Sequence, residues 1–243
     1  VTTWEGLIKS VRAKVKGTKV KIRLGASSGE WKAMVADEAA RTTFAKNIKT
    51  VLEKNKLDGI DLDFEWAENE KEYEDYSLAI LKMREMLGDK YLFSVSLHPV
   101  CYKISKEAIE AVDFISLQCY GPSPVRFPIE KYCSDIQMVL EYGIPKEKLV
   151  AGVPFYGVTK DNSKKTEAYF NFVQNGLVTS PAQNEVIYQG DTYVFDGQDN
   201  IRIKTRYAKE QKLKGMMSWD LATDLPLSDS RSLLKTMTEE LRE

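Results

Sequence analysis

The sequence predicts an α/β protein built on a parallel sheet with crossover helices. Three observations carry that prediction. Short apolar runs of strand length recur down the chain, segments with apolar residues at helical spacing separate them, and residues 58–65 alternate acidic with apolar residues at a period of two. With 243 residues, 43% hydrophobic and 29% charged, the chain can bury a sizeable core, and one large barrel and two small domains both fit that length.

Val1, Trp4, Leu7, Ile8, Val11 and Val15 repeat at helical spacing and open the chain with a helix. Lys19 to Leu24 then reads as a strand, Phe44 to Leu52 as part of the next helix, and residues 58–65 as the second strand. A helix at Tyr73 to Leu87, a strand at Tyr91 to Leu97, a short helix at Glu107 to Val112 and a strand at Asp113 to Tyr120 follow. The alternation continues with a helix at Ile129 to Tyr142 and strands at Lys148 to Val153 and Gly215 to Trp219 before a final helix, which makes six strands. Between Pro154 and Gly215 the pattern loosens into a helix-like stretch at Lys164 to Val173, a hairpin-like stretch at Glu185 to Asp196 and a helix near Ile201 to Lys212.

The second strand carries the chemistry. Its residues read Asp58-Gly59-Ile60-Asp61-Leu62-Asp63-Phe64-Glu65. Side chains of a strand point alternately to opposite faces, so Asp61, Asp63 and Glu65 share one face and Ile60, Leu62 and Phe64 the other. Three carboxyls crowded away from bulk water cannot all ionise cheaply, so at least one is expected to keep its proton near neutral pH, as a general acid requires. A solvated acidic face would not need the apolar row opposite it. A hard-cation site would draw its oxygen ligands from a loop with turn glycines, so neither a metal nor a cofactor is expected. Asp58 has the other parity and reads as structural.

A formal net charge of −1 gives no electrostatic footprint for nucleic acid, and no run of about 18 apolar residues spans a bilayer, so the expected partner is uncharged. Cys101, Cys119 and Cys133 lack Cys-x-x-Cys spacing and are odd in number, which argues against a disulfide framework. A bridge from Cys101 to Cys119 stays open, with free buried thiols expected instead. On the strand from Asp113, Ser116, Gln118 and Tyr120 share a face by period two. His98, the only histidine, serves packing or binding and has no catalytic role on this reading.

The acid-rich segment resembles, over its full length, the Asp-x-x-Asp-x-Asp-x-Glu signature of glycoside hydrolase family 18, the chitinases and endo-β-N-acetylglucosaminidases. Further segments are similar to the same family: Lys19 to Ser27 to its third strand, with Ala26 in place of a second glycine, and Asp113 to Gly121 to its sixth, with Gly121 in the last slot. Val150 to Gly157 is similar to the seventh strand, and Gly215 to Asp220 with Asp224 to the eighth. The resemblance implies a (β/α)8 TIM barrel whose fourth strand carries the acids. Because only six strands are found, it also implies that the first two are missing, that residues 1–243 form a single, N-terminally incomplete catalytic barrel, and that the natural polypeptide starts earlier.

It implies as well a retaining endo-hydrolysis of β-1,4-linked N-acetylglucosamine polymers in which the substrate's own acetamido group is the nucleophile, the exception among glycosidases. Glu65 would then be acid and base, Asp63 the partner of the acetamido N–H, Asp61 a deeper residue sharing a proton or hydrogen bond with Asp63, and Tyr120 the residue orienting the acetamido carbonyl. Gln118, Trp219, Tyr156 and Gly25 are expected to bind substrate, Trp219 by stacking its ring on a sugar face, although a core role stays open for Tyr120 and Trp219. The partner is an N-acetylglucosamine-containing oligo- or polysaccharide, met by a monomer in a shallow, open cleft outside the cytoplasm, as a secreted, periplasmic or cell-surface protein. Two other readings stay open, an endo-β-N-acetylglucosaminidase on N-glycans and a silent chitin-binding lectin. A lectin of this kind typically lacks the glutamate, and Glu65 is present.

Overall fold

The computed structural model describes residues 3–27 and 29–243, so Val1 of the first helical pattern lies outside the described residues. The chain divides into two compact units, one of the residues up to Leu97 with Cys101–Ile115, the other of His98–Val100 with Ser116–Glu243.

In the first unit, α1 (Trp4–Lys14) leads to β1 (Arg23–Ala26), α2 (Trp31–Ala36) and α3 (Glu38–Asn55). Then come β2 (Gly59–Leu62), α4 (Glu70–Leu87), β3 (Leu92–Leu97), α5 (Lys106–Ala111) and the start of β4 (Phe114–Leu117). Side chains satisfy the orphan N–H groups at the helix starts: Asp37 accepts from Ala40, Asn69 from Glu72 and Ser105 from Ala108. β1, β2 and β3 run parallel, with Gly25 opposite Asp61 and Asp61 opposite Ser94. Gly59 is required there, because a Cβ would lie 1.9 Å from the Leu92 carbonyl oxygen.

Two elements differ from the sequence reading. The first strand begins at Arg23 rather than Lys19, since just before it the Asp58 carboxylate takes the Ile22 N–H at 2.8 Å in place of a ladder partner. Helix α2 has no counterpart in the prediction, because six residues are too few to show a helical period.

The second unit holds the end of β4, α6 (Ile129–Tyr142), β5 (Leu149–Pro154), β6 (Tyr156–Thr159), β7 (Thr166–Ala168) and α7 (Tyr169–Gln174). It continues with β8 (Glu185–Tyr188), β9 (Asp191–Val194), α8 (Gln198–Glu210), β10 (Gly215–Trp219) and α9 (Leu233–Arg242). The parallel strands follow the order β1-β2-β3-β4-β5-β10, the six that the sequence predicts, and β5 pairs with β10 so that Trp219 lies opposite Pro154.

The loose stretch is more structured than expected. Its strands form a separate antiparallel sheet in the order β7-β6-β9-β8. The helix expected over Lys164 to Val173 is split, because Thr166–Ala168 pairs with β6 and only Tyr169 onward is helical. Aromatic packing fixes the split: Phe172 of α7 sits 5.4 Å from both Tyr193 and Phe195. Among the described residues no helix is long and apolar enough to cross a membrane.

Asp58 joins the start of β2 to the residues before β1, accepting from Ile22 N–H and, at 3.5 Å, from Lys21. Asp58→Ala should therefore lower the unfolding free energy by about 1.5 to 3 kcal/mol, the scale of a hydrogen bond to a charged group. Urea denaturation measures that loss, and activity per folded molecule should not change.

Candidate active site

β2 ends at Leu62, but its alternation runs on. Ile60, Leu62 and Phe64 are buried, Asp61 and Asp63 are half-buried, and Glu65 is exposed. One further main-chain bond, Asp63 N–H to Ala26 carbonyl at 2.9 Å, carries the extended conformation past the strand's end. Phe64 stacks on Trp31 with ring centroids 5.5 Å apart and meets Tyr76 at 5.5 Å and Phe44 at 6.0 Å. The Trp31 indole N–H donates to the main-chain carbonyl of Glu65 at 2.9 Å. The peptide bond from Glu65 to Trp66 is cis. Exposure is thus graded along the row: the two inner acids are half-buried, whereas Glu65, expected from spacing to be withdrawn from water with them, stands at the wet end.

Asp61 is held from the neighbouring strand. Ser94 donates to one carboxylate oxygen and Ser96 to the other, the latter at 2.7 Å. Arg23 donates to Ser94 in turn, lies 3.9 Å from the Asp61 carboxylate, and places its guanidinium over the Phe114 ring at 4.6 Å. Burial lowers the Arg23 pKa, and the charges of Asp61 and Asp113 oppose that shift. Burial, followed by the charge of Asp61, pushes the Tyr76 phenol well above its ordinary value. Gly25, opposite Asp61, is exposed and has open space where a Cβ would stand. Among the described residues no group of three or more His, Cys, Asp or Glu side chains could hold a metal ion. The three cysteines are free thiols, and Cys101 accepts from Ala67 N–H at 3.1 Å.

In the second unit, β4 stops at Leu117, where Cys119 N–H bonds back to the Leu117 carbonyl at 3.0 Å. This i to i+2 turn takes Gln118 out of the ladder, so the period-two row expected for Ser116, Gln118 and Tyr120 breaks, and Gln118, Cys119 and Tyr120 are all buried. The Tyr120 ring meets Tyr156 edge-on at 6.4 Å, and its hydroxyl lies 3.5 Å from the Met217 sulfur. Tyr156 donates to the Gly121 carbonyl at 3.2 Å. A Cβ at Gly152 would come within 2.9 Å of the Tyr120 ring and 2.7 Å of the Leu117 carbonyl, so only glycine leaves room for that tyrosine. Trp219 ends β10 with 54% of its surface exposed, which removes a core role for it. Asp224 is a helix cap, accepting from Ser232, Leu233 and Leu234 at the start of α9.

His98 serves packing. Its Nδ1 accepts from Val100 N–H at 3.3 Å, so Nε2 carries the proton and donates to the Tyr120 carbonyl at 3.0 Å. Burial first, then the nearby Arg126, pushes its pKa down to about 4.

Spacing identified the acids but missed Arg23, Trp31, Ser94, Ser96 and Gly152. Ser94 and Ser96 were findable, since they alternate in Phe93-Ser94-Val95-Ser96-Leu97 as the acids do in β2.

Repeated strand–helix units and a row of carboxylates at a strand end are the marks of a barrel glycoside hydrolase. The chain belongs to Glycosyl hydrolases family 18, whose profile it matches over residues 5–224. It is 24% identical to "Probable chitinase 2" of Drosophila melanogaster, an alignment covering 85% of this chain and 56% of that protein. The chain thus spans about half the length of such relatives. Among solved structures, a chitinase from Bacteroides thetaiotaomicron matches with TM-score 0.84 and 22% identity, covering 96% of this chain and 80% of that one. The chitinase-like agglutinin of Robinia pseudoacacia matches with TM-score 0.81 and 18% identity, covering 98% and 85%. The fold is accordingly that of a (β/α)8 barrel, with six of its parallel strands among the described residues.

The His98 environment sets a pH dependence. Its folded pKa lies below the unfolded value of about 6.5, so its contribution is complete above pH 6.5 and is lost as pH falls toward 4. Integrated over that window it amounts to about 3 kcal/mol. Comparing wild type with His98→Gln by urea denaturation at several pH values should show a stability gap that shrinks steadily from pH 6.5 to 4.

Proposed function

We propose that the chain hydrolyses β-1,4-linked N-acetylglucosamine polymers, chitin or its oligosaccharides, with retention and by substrate-assisted catalysis. The observation that carries this reading is the graded acid row: a solvent-exposed Glu65 with its main chain tied to Trp31, beyond half-buried Asp63 and Asp61. The names of the relatives support the substrate class.

On this reading Glu65 gives its proton to the glycosidic oxygen of the departing sugar while the acetamido oxygen of the other sugar attacks its own ring's anomeric carbon, and the bond from that carbon to the glycosidic oxygen breaks. The product of that step is an oxazolinium ion. Water then opens it and passes a proton back to Glu65, so acid and base are one residue. Asp63 accepts from the acetamido N–H and stabilises the charge that develops there. The part given to Tyr120, orienting the acetamido carbonyl, rests on the resemblance of its segment, as do the substrate contacts of Gln118, Tyr156, Trp219 and Gly25. The exposed Trp219 ring suits stacking on a sugar face. A polymeric substrate fits action outside the cell. The likeness to an agglutinin favours carbohydrate binding without turnover as the second reading, against which stands the retained Glu65.

Glu65→Gln should bind chitotetraose nearly as wild type does while turnover falls by at least about 10²-fold, the lower end for a lost general acid–base. Calorimetry and product assay measure the two quantities, and undiminished turnover would remove Glu65 from the mechanism. Separately, NMR of the first product should show the β-anomer, and fully deacetylated chitosan should be inert. A positioned intramolecular nucleophile supplies roughly 7 to 11 kcal/mol of a barrier, and deacetylation removes it. An initial α-anomer would sink the proposal.

A further inference from the structure

Arg23 is a half-buried cation at the start of a strand that the mechanism above leaves without a task. It lies on β1, beside the strand of the acids, and its surroundings are built rather than incidental. The guanidinium rests on the Phe114 ring at 4.6 Å, also donates to the Ile60 carbonyl at 3.5 Å, and donates to the hydroxyl of Ser94. Ser94 is fully buried and donates its hydroxyl hydrogen to Asp61. A hydroxyl has one hydrogen to give, so accepting from Arg23 leaves Ser94 donating toward Asp61. Ser96 donates to the second Asp61 oxygen from two residues further along the same face. Donors on both oxygens hold the Asp61 carboxylate in one plane.

We propose that Arg23 is a positioning residue for this reaction: through the Ser94 hydroxyl it fixes Asp61, the innermost acid of the catalytic row, in one orientation. The inference rests on the hydrolase reading of that row. Lysine carries the same charge but cannot lie flat on Phe114 while also reaching Ser94 through a planar fork, so it should replace Arg23 only in part.

The test uses Arg23→Gln, Arg23→Lys and Ser94→Ala in the purified protein. Arg23→Gln should lower kcat on chitotetraose by about 10-fold or more with KM within about twofold, as expected when an aligned group loosens without losing substrate contacts. Arg23→Lys should recover part of that loss, and Ser94→Ala should reproduce it with the arginine intact. A second readout needs no activity. A crystal structure of Arg23→Gln should show the Asp61 carboxylate turned away from the Ser94 and Ser96 hydroxyls or spread over more than one orientation. Unchanged kcat in Arg23→Gln, or an unchanged Asp61 orientation, overturns the inference. Failure of the wild type to hydrolyse any N-acetylglucosamine oligomer overturns the functional reading instead, and the crystal structure then still decides whether Arg23 holds Asp61.

Discussion

The first unit depends on the burial of Phe64. Its ring is packed among Trp31, Tyr76 and Phe44, and with Ile60 and Leu62 it forms one continuous apolar row. A one-residue slip would turn that row to water and the acids into the core. Burial of three such side chains is worth roughly 5 to 9 kcal/mol, comparable to the whole stability of a domain, so the slipped register is not populated. The same packing that stabilises the unit therefore dictates on which side Asp61 and Asp63 emerge. Trp31 acts in both roles at once, since its ring stacks on Phe64 and its indole N–H holds the Glu65 carbonyl.

Within that row the three acids have three environments. Asp61 is tied to two serines beside a half-buried guanidinium, Asp63 lies one step outward with its N–H bonded to the Ala26 carbonyl, and Glu65 reaches solvent. Three carboxyls of one row thus differ both in depth and in the donors around them.

The second unit solves a different problem, the fixing of a turn that carries Gln118 and Tyr120. The turn's carbonyls are held by side chains, Tyr120 by His98 and Gly121 by Tyr156, and the tyrosine ring fits because residue 152 has no side chain. A neutral His98 is part of this arrangement, because Nδ1 must accept from Val100 while Nε2 donates. Burial keeps it neutral at ordinary pH.

The sequence by itself determined the alternation of strands and helices, the six-strand count, and the parity of the acid row, since period and apolar patterning are local properties written into consecutive residues. It also marked Asp58 as structural, and Asp58 in fact serves the main chain of Ile22. Only the tertiary structure decided where alternation stops, because the turn after Leu117 is set by a hydrogen bond with no signature in the side-chain pattern. It alone split the stretch at Thr166 into strand and helix, since aromatic partners far along the chain outweigh local propensity there. It alone brought Arg23, Ser94 and Ser96 to Asp61: those residues lie on three neighbouring strands, and which side chains meet across strands is fixed by register, which no single strand's sequence specifies.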